Sequence, residues 1–220
     1  MRKEFYDMRV RIVGTLLTLV VLFFIVAPFQ KFTLRMLEGY SGTPQLEKFL
    51  PPSMLNKLKE WNFYINSQWY GKNFGQIVPI VGIIMAFPLF AREVENGTIA
   101  FLLVRKSRKQ VFIDKFFSGL ISLWFILLFT GLLPIFYSFI FNKDYQYLAG
   151  IKFTVQSLFA GLLWFCITLF YSVIFDDQVK PLLAGLSTLA ITTVGGMLKP
   201  LKFLNTYTYA LGNSIFLRNS

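Results

Sequence analysis

The chain has 220 residues, 55% of them hydrophobic and 18% aromatic, with only 15% charged, a mix that the water-facing surface of one domain cannot absorb. It carries no His and one cysteine, Cys166, which excludes a His-ligated haem, a zinc finger, Ser/His catalysis and an internal disulfide. A net charge of +11 suits nucleic acid or anionic lipid head groups, and in so apolar a chain the membrane is the expected partner and nucleic acid is not.

Residues 1–11 hold Arg2, Lys3, Arg9 and Arg11, and the uncharged run 12–29 follows. At 1.5 Å per residue that run spans about 27 Å, close to the hydrocarbon thickness. It ends in Pro28-Phe29-Gln30 with no small-residue cleavage site, so it reads as an uncleaved anchor.

Segment 30–73 is too long for a simple hairpin. Leu46, Phe49 and Leu50, then Leu55, Leu58 and Trp61, fall at helical spacing and predict one or two short amphipathic helices. Trp61, Trp69 and Tyr70 suit a membrane interface, and the segment reads as an outer cap on the spans or as a surface that touches substrate.

Uncharged runs 74–91, 116–141, 153–175 and 181–198 supply four more spans, and the tail 203–217, with Asn205 and Asn213, is at most a partial sixth. The expected fold is thus an all-α integral membrane protein with five transmembrane helices and a doubtful or incomplete sixth. Basic residues crowd at 1–11 and at 92–115, which places the N-terminus and that loop in the cytoplasm.

No Asp, Glu, Lys, Arg or His lies inside the five uncharged runs, which disfavours ion-coupled transport and intramembrane catalysis. Asp176 and Asp177, beside Lys180, read as a solvated turn. Ala184, Thr188, Thr192 and Gly196 recur every four residues and predict a close helix contact, within the chain or with a second copy. Pro79, Pro88 and Pro134 predict kinks.

The loop 92–115 carries the functional argument. It opens with Glu93 and Glu95, turns at Asn96-Gly97, passes through the apolar stretch 98–104 that contains Phe101, and closes on Arg105, Lys106, Arg108 and Lys109 before Lys115. Acids before the stretch and bases after it complement a helix dipole, with Thr98 a candidate cap, so a short helix lying across the membrane face is expected. Taken alone, such a helix either seats on a partner or binds lipid phosphates through its bases.

The order Glu93-x-Glu95-x-Gly97-Thr98, an apolar stretch with Leu102-Leu103, Ser107-Arg108 and then Lys115 resembles the loop of permease subunits of type-2 ABC exporters of bacterial type, with Arg105 where that family often has Pro. The resemblance extends to a basic start like the family's cytoplasmic elbow helix. It implies a dimer of permeases, identical or homologous, that forms the substrate pathway in the plasma (inner) membrane. It also implies that Glu93, Glu95, Gly97, Thr98, Phe101, Arg105, Arg108 and Lys115 form a coupling helix and its flanks, set against a separate ABC ATPase present in two copies. ATP and Mg would sit on that ATPase, because the 220 residues contain no Gly-x-x-x-x-Gly-Lys-Ser/Thr phosphate loop. The uncharged, Phe-rich spans suggest a hydrophobic or amphipathic cargo. The reading from another class is a non-transporting scaffold or immunity-type protein whose basic loop binds anionic lipid or a regulatory partner.

Overall fold

A computed structural model describes residues 2–40 and 57–198, all of whose regular elements are helical. Helix α1 (Arg2–Val26) turns at Ala27-Pro28 into α2 (Phe29–Tyr40). The second transmembrane pass is assembled from α3 (Trp61–Ile65), a π-helical stretch (Asn66–Asn73), α4 (Phe74–Ala86) and α5 (Pro88–Glu95). A short α6 (Ile99–Arg105) precedes α7 (Arg108–Ile140), α8 (Tyr147–Ile174) and α9 (Val179–Gly195).

Among the described residues four helical stretches are long and apolar enough to cross a membrane, and α9, with 17 residues, is a shorter apolar helix. Four of the expected spans thus fall on membrane-length helices and the fifth on the shorter α9, while the partial segment 203–217 lies outside the described residues. So does most of the amphipathic part of 30–73. α1 runs through residue 11 without a break, so no separate elbow helix is set off from the first span.

The helical stretch that holds the second uncharged run begins at Trp61, well before Phe74. Its polar start is tolerated because the polar groups bond to one another. Asn66 Nδ2 donates to Asn62 Oδ1 (3.3 Å), Asn73 Nδ2 to the Gln68 carbonyl (2.7 Å), and Tyr145 Oη to Asn66 Oδ1 (3.0 Å). Trp61, Trp69 and Tyr70 correspondingly do not sit at an interface with lipid. They are buried, with Trp69 between Phe23 and Phe74, Trp61 on Tyr137, and Tyr70 stacked on Phe153.

The second pass is the core of the bundle and α1 its edge: 72% of the most apolar window of the former is buried, against 17% for the N-terminal helix. α4 packs on α8 so closely that a Cβ added to Gly82 would lie 2.7 Å from the Gly161 carbonyl oxygen, a backbone atom. Gly82→Ala should therefore cost about 1–3 kcal/mol by overpacking. Gly14→Ala, where nothing lies within 4 Å, should not destabilise. Thermal unfolding in detergent checks both, and equal melting temperatures for the two variants would contradict this packing.

Of the three prolines expected to kink, Pro88 alone falls at a helix boundary, dividing the pass into α4 and α5 and leaving N–H groups at the start of α5 in need of acceptors, while Pro79 lies inside an unbroken α4. α8 supplies one. Ser172 Oγ accepts from the backbone N–H of Phe90 (3.0 Å) and of Ala91 (3.2 Å). Pro134, by contrast, lies inside an unbroken α7, where Tyr70 Oη donates to the neighbouring carbonyl of Gly131.

Candidate functional site

The loop 92–115 gathers at one end of the bundle with the start of α1, the start of α7 and the α8–α9 turn. α5 ends at Glu95, and Asn96 and Gly97 close it through Asn96 N–H to Arg92 O (3.1 Å) and Gly97 N–H to Val94 O (2.9 Å). Gly97 takes φ +68°, the left-handed conformation that explains a glycine at this place in the motif. α6 then covers Ile99–Arg105, close to the stretch 98–104 expected from the apolar run.

Thr98 does not cap α6. Its hydroxyl donates instead to the carboxylate of Glu93, folding the turn back onto the end of α5. Ser107 is the residue that caps. It accepts from Gln110 N–H (3.3 Å) while Gln110 Oε1 accepts from Ser107 N–H (3.1 Å), a reciprocal box that ends the loop and starts α7.

Lys115 is among the most enclosed side chains of the molecule, 2% exposed. Its Nζ lies 3.0 Å from Glu4 Oε2 of α1 and 3.2 Å from Glu93 Oε1 of α5. Two carboxylates around one ammonium satisfy a charge that burial would otherwise penalise heavily. Glu95 makes a second tie: one of its oxygens accepts from Gln178 Nε2 (2.7 Å) and from Gln178 N–H (3.2 Å) in the α8–α9 turn. In that turn Asp177 Oδ1 accepts from the N–H groups of Val179 and Lys180, capping α9. These bonds, that of Lys180 first, hold the Asp177 carboxyl below its ordinary range.

Both acids of the motif thus fasten the front of α6 to the bundle, and the back of α6 is left outward. Phe101 is 75% and Val104 85% exposed, while Leu102 turns inward against the core. Lys106 pairs with Asp114. Arg105 and Arg108 are exposed and make no ion pair among the described residues. The result is an apolar ridge, Phe101 and Val104, edged by Arg105 and Arg108.

The small-residue stripe of α9 lies elsewhere. Ala184, Thr188 and Thr192 are half-buried and Gly196 buried, and Thr188 Oγ1 lies 2.9 Å from Tyr171 Oη. A close approach of α9 lies one position along, at Gly185, where a Cβ would meet Thr168 Oγ1 at 2.9 Å. Leu189 packs with Ile83 and Trp164.

Sequence reasoning missed Glu4, Gln178 and Ser172. Glu4 left one trace, as an acid set between Lys3 and Arg9 in a basic stretch, and Gln178 and Ser172 left none.

Apolar helices of membrane length, joined by a loop helix that presents an apolar ridge at one end, define a multi-pass α-helical membrane protein. The family model described as ABC-2 family transporter protein matches residues 1–210, and the chain belongs to that family: it is a membrane permease of ABC-transporter type. No curated protein and no solved structure matches it.

Proposed function

We propose that this chain is the transmembrane subunit of an ATP-driven exporter in the plasma (inner) membrane, with its N-terminus in the cytoplasm. Two permeases, identical or homologous, form the pathway, and each seats α6 in a groove of one copy of a separate ABC ATPase that binds ATP and Mg. The observation that carries this reading is the state of α6: its front is fixed by Glu93 and Glu95, and its ridge of Phe101 and Val104 is left exposed by the described residues. Such a ridge needs an apolar partner surface, and membership of the ABC-2 family supports an ATPase as that partner.

Family membership and the lack of a Gly-x-x-x-x-Gly-Lys-Ser/Thr loop in the 220 residues support a division of labour in which this subunit contributes a pathway and a contact surface, and the partner hydrolyses ATP. Co-purification in mild detergent tests the assignment. An ATP-binding subunit should travel with the chain, and hydrolysis should require both proteins. Robust hydrolysis by the rigorously purified chain alone would overturn the reading.

Topology is tested separately, in a Cys166→Ser background. Asn66, although on the expected outer segment, is buried, so a better reporter is the exposed Asp144 in the α7–α8 turn. Asp144→Cys and Ser53→Cys should react with an impermeant thiol reagent from outside, whereas Ser107→Cys should not. The opposite pattern would invert the orientation.

A further inference from the structure

α2 has no part in the contacts of the loop end and lies at the opposite end of the bundle. The helix of the first span is interrupted at Ala27-Pro28: Lys31 N–H closes a turn on the Pro28 carbonyl (3.3 Å), and the Val26 carbonyl accepts from Tyr64 Oη (3.0 Å). Gln30, buried just past the break, donates through Nε2 to the carbonyls of Leu58 (3.3 Å) and Lys59 (3.2 Å). The first turn of α2 is thereby pinned to the entry of the second pass.

The level of this break is the edge of the hydrocarbon. The uncharged run 12–29 ends here after about 27 Å. Trp61, one turn before Tyr64, donates to Ser138 Oγ (2.7 Å) near the end of the uncharged run 116–141. The first charge beyond that run, Lys143, lies over the Trp61 ring with Nζ 5.2 Å from its centroid.

α2 therefore starts where hydrocarbon gives way to head groups, and its side chains sort by chemistry around the axis. Buried Gln30 and half-buried Thr33 and Leu34 take the side turned to the bundle. Phe29 and Phe32, 50% and 51% exposed with rings 5.0 Å apart, lie about 60° from one another around the helix. Lys31 and Arg35, both exposed, lie about 40° from one another and about 110° round from the Phe pair. Standing upright, α2 would carry the Phe pair into water within one turn of the boundary. Lying along the boundary, it turns the rings to the hydrocarbon and the cations to the phosphates.

We propose that α2 is a phospholipid anchor that lies in the head-group layer, with Phe29 and Phe32 among the upper acyl chains and Lys31 and Arg35 on lipid phosphates. The separation of its two exposed faces selects a bilayer over a protein surface, because each face meets one layer of the lipid. Gln30 and Tyr64 join this anchor to the start of the second pass, so the bilayer braces that end of the pass. Neither the side of the membrane that is cytoplasmic nor the ATPase enters the argument.

The test makes Phe29→Cys, Lys31→Cys, Phe32→Cys and Arg35→Cys singly in the full chain with Cys166→Ser, and attaches a nitroxide to each. Collisions with oxygen, which concentrates in hydrocarbon, and with a water-soluble nickel chelate are compared in nanodiscs of phosphatidylethanolamine and phosphatidylglycerol. Phe24→Cys, on the exposed flank of α1, is the hydrocarbon reference and Lys109→Cys the water reference. All six positions are exposed, so the fold should survive each change. The oxygen-to-nickel ratio should be several times higher at Phe29→Cys and Phe32→Cys than at Lys31→Cys and Arg35→Cys, with all four between the references. A ratio that falls steadily from position 29 to 35, so that Lys31→Cys reads deeper than Phe32→Cys, would mean an upright helix and overturn the anchor. Few collisions with either reagent at 29 and 32 would mean that protein covers the Phe pair, which also overturns it. Native mass spectrometry tests the cations: the Lys31→Gln, Arg35→Gln double variant should retain less phosphatidylglycerol than the wild type, and equal retention would overturn the phosphate contacts.

Discussion

Lys115→Ala is expected to destabilise the protein by about 3–5 kcal/mol, the usual cost of removing one partner from a buried ionic group. Lys115 is almost fully enclosed, and its Nζ is shared by Glu4 and Glu93, so the variant leaves two like charges facing across the space it filled. The damage is not confined to stability. Glu93 also receives the Thr98 hydroxyl, so loss of its cation loosens the turn from which α6 starts. A combined Lys115→Met, Glu4→Gln, Glu93→Gln variant removes every charge of the cluster and should recover much of the melting temperature, because neutral groups of similar shape carry no comparable desolvation penalty. Thermal unfolding in detergent measures both. A single variant that melts within a degree of the wild type would mean that the cluster is hydrated and not the enclosed node the geometry shows.

Phe101→Asp should leave folding and membrane insertion intact, since Phe101 is 75% exposed and belongs to no span, yet abolish partner-dependent ATPase stimulation. Seated in an apolar groove, the new carboxylate would lose its hydration with no partner, typically a cost of several kcal/mol and so at least a hundredfold in affinity. Arg108→Glu places an acid on the rim of the same surface and should act more mildly, with an effect that shrinks as salt rises. Pull-down of the ATPase by wild type and by both variants, at low and high salt, reads the difference. Undiminished capture by Phe101→Asp would remove α6 as the contact. Loss of anionic lipid binding by Arg108→Glu with ATPase capture intact would favour a lipid anchor.

What was legible in the sequence was local. The loop helix could be placed because its determinants lie within a few residues of one another: acids, a Gly that needs a left-handed conformation, an apolar run and bases. The uncharged runs marked the crossings for the same reason. The start of the second pass was illegible because Asn62, Asn66, Gln68 and Asn73 look like residues for water; two of their bonds are made within the helical stretch itself, but the packing that buries Asn66 under Tyr145 comes from 79 residues away. Trp61, Trp69 and Tyr70 misled in the same way, since an aromatic residue with a polar edge serves equally at a lipid interface and in a core. In the site, Lys115 could be singled out by its place in the motif, but its partner Glu4 is 111 residues away, a pairing no window along the chain contains.

The two acids before α6 reach different parts of the chain: Glu93 is tied to residue 115 and through it to residue 4, and Glu95 to residue 178. The loop is consequently not an interchangeable cassette. A chimaera that grafts residues 92–109 of another permease here would break both ties unless the acids keep their spacing, and a graft of this loop into another scaffold would need Glu4, Lys115 and Gln178 to travel with it. Failed loop swaps between such proteins would then report on these distant anchors as much as on the partner the loop was meant to select.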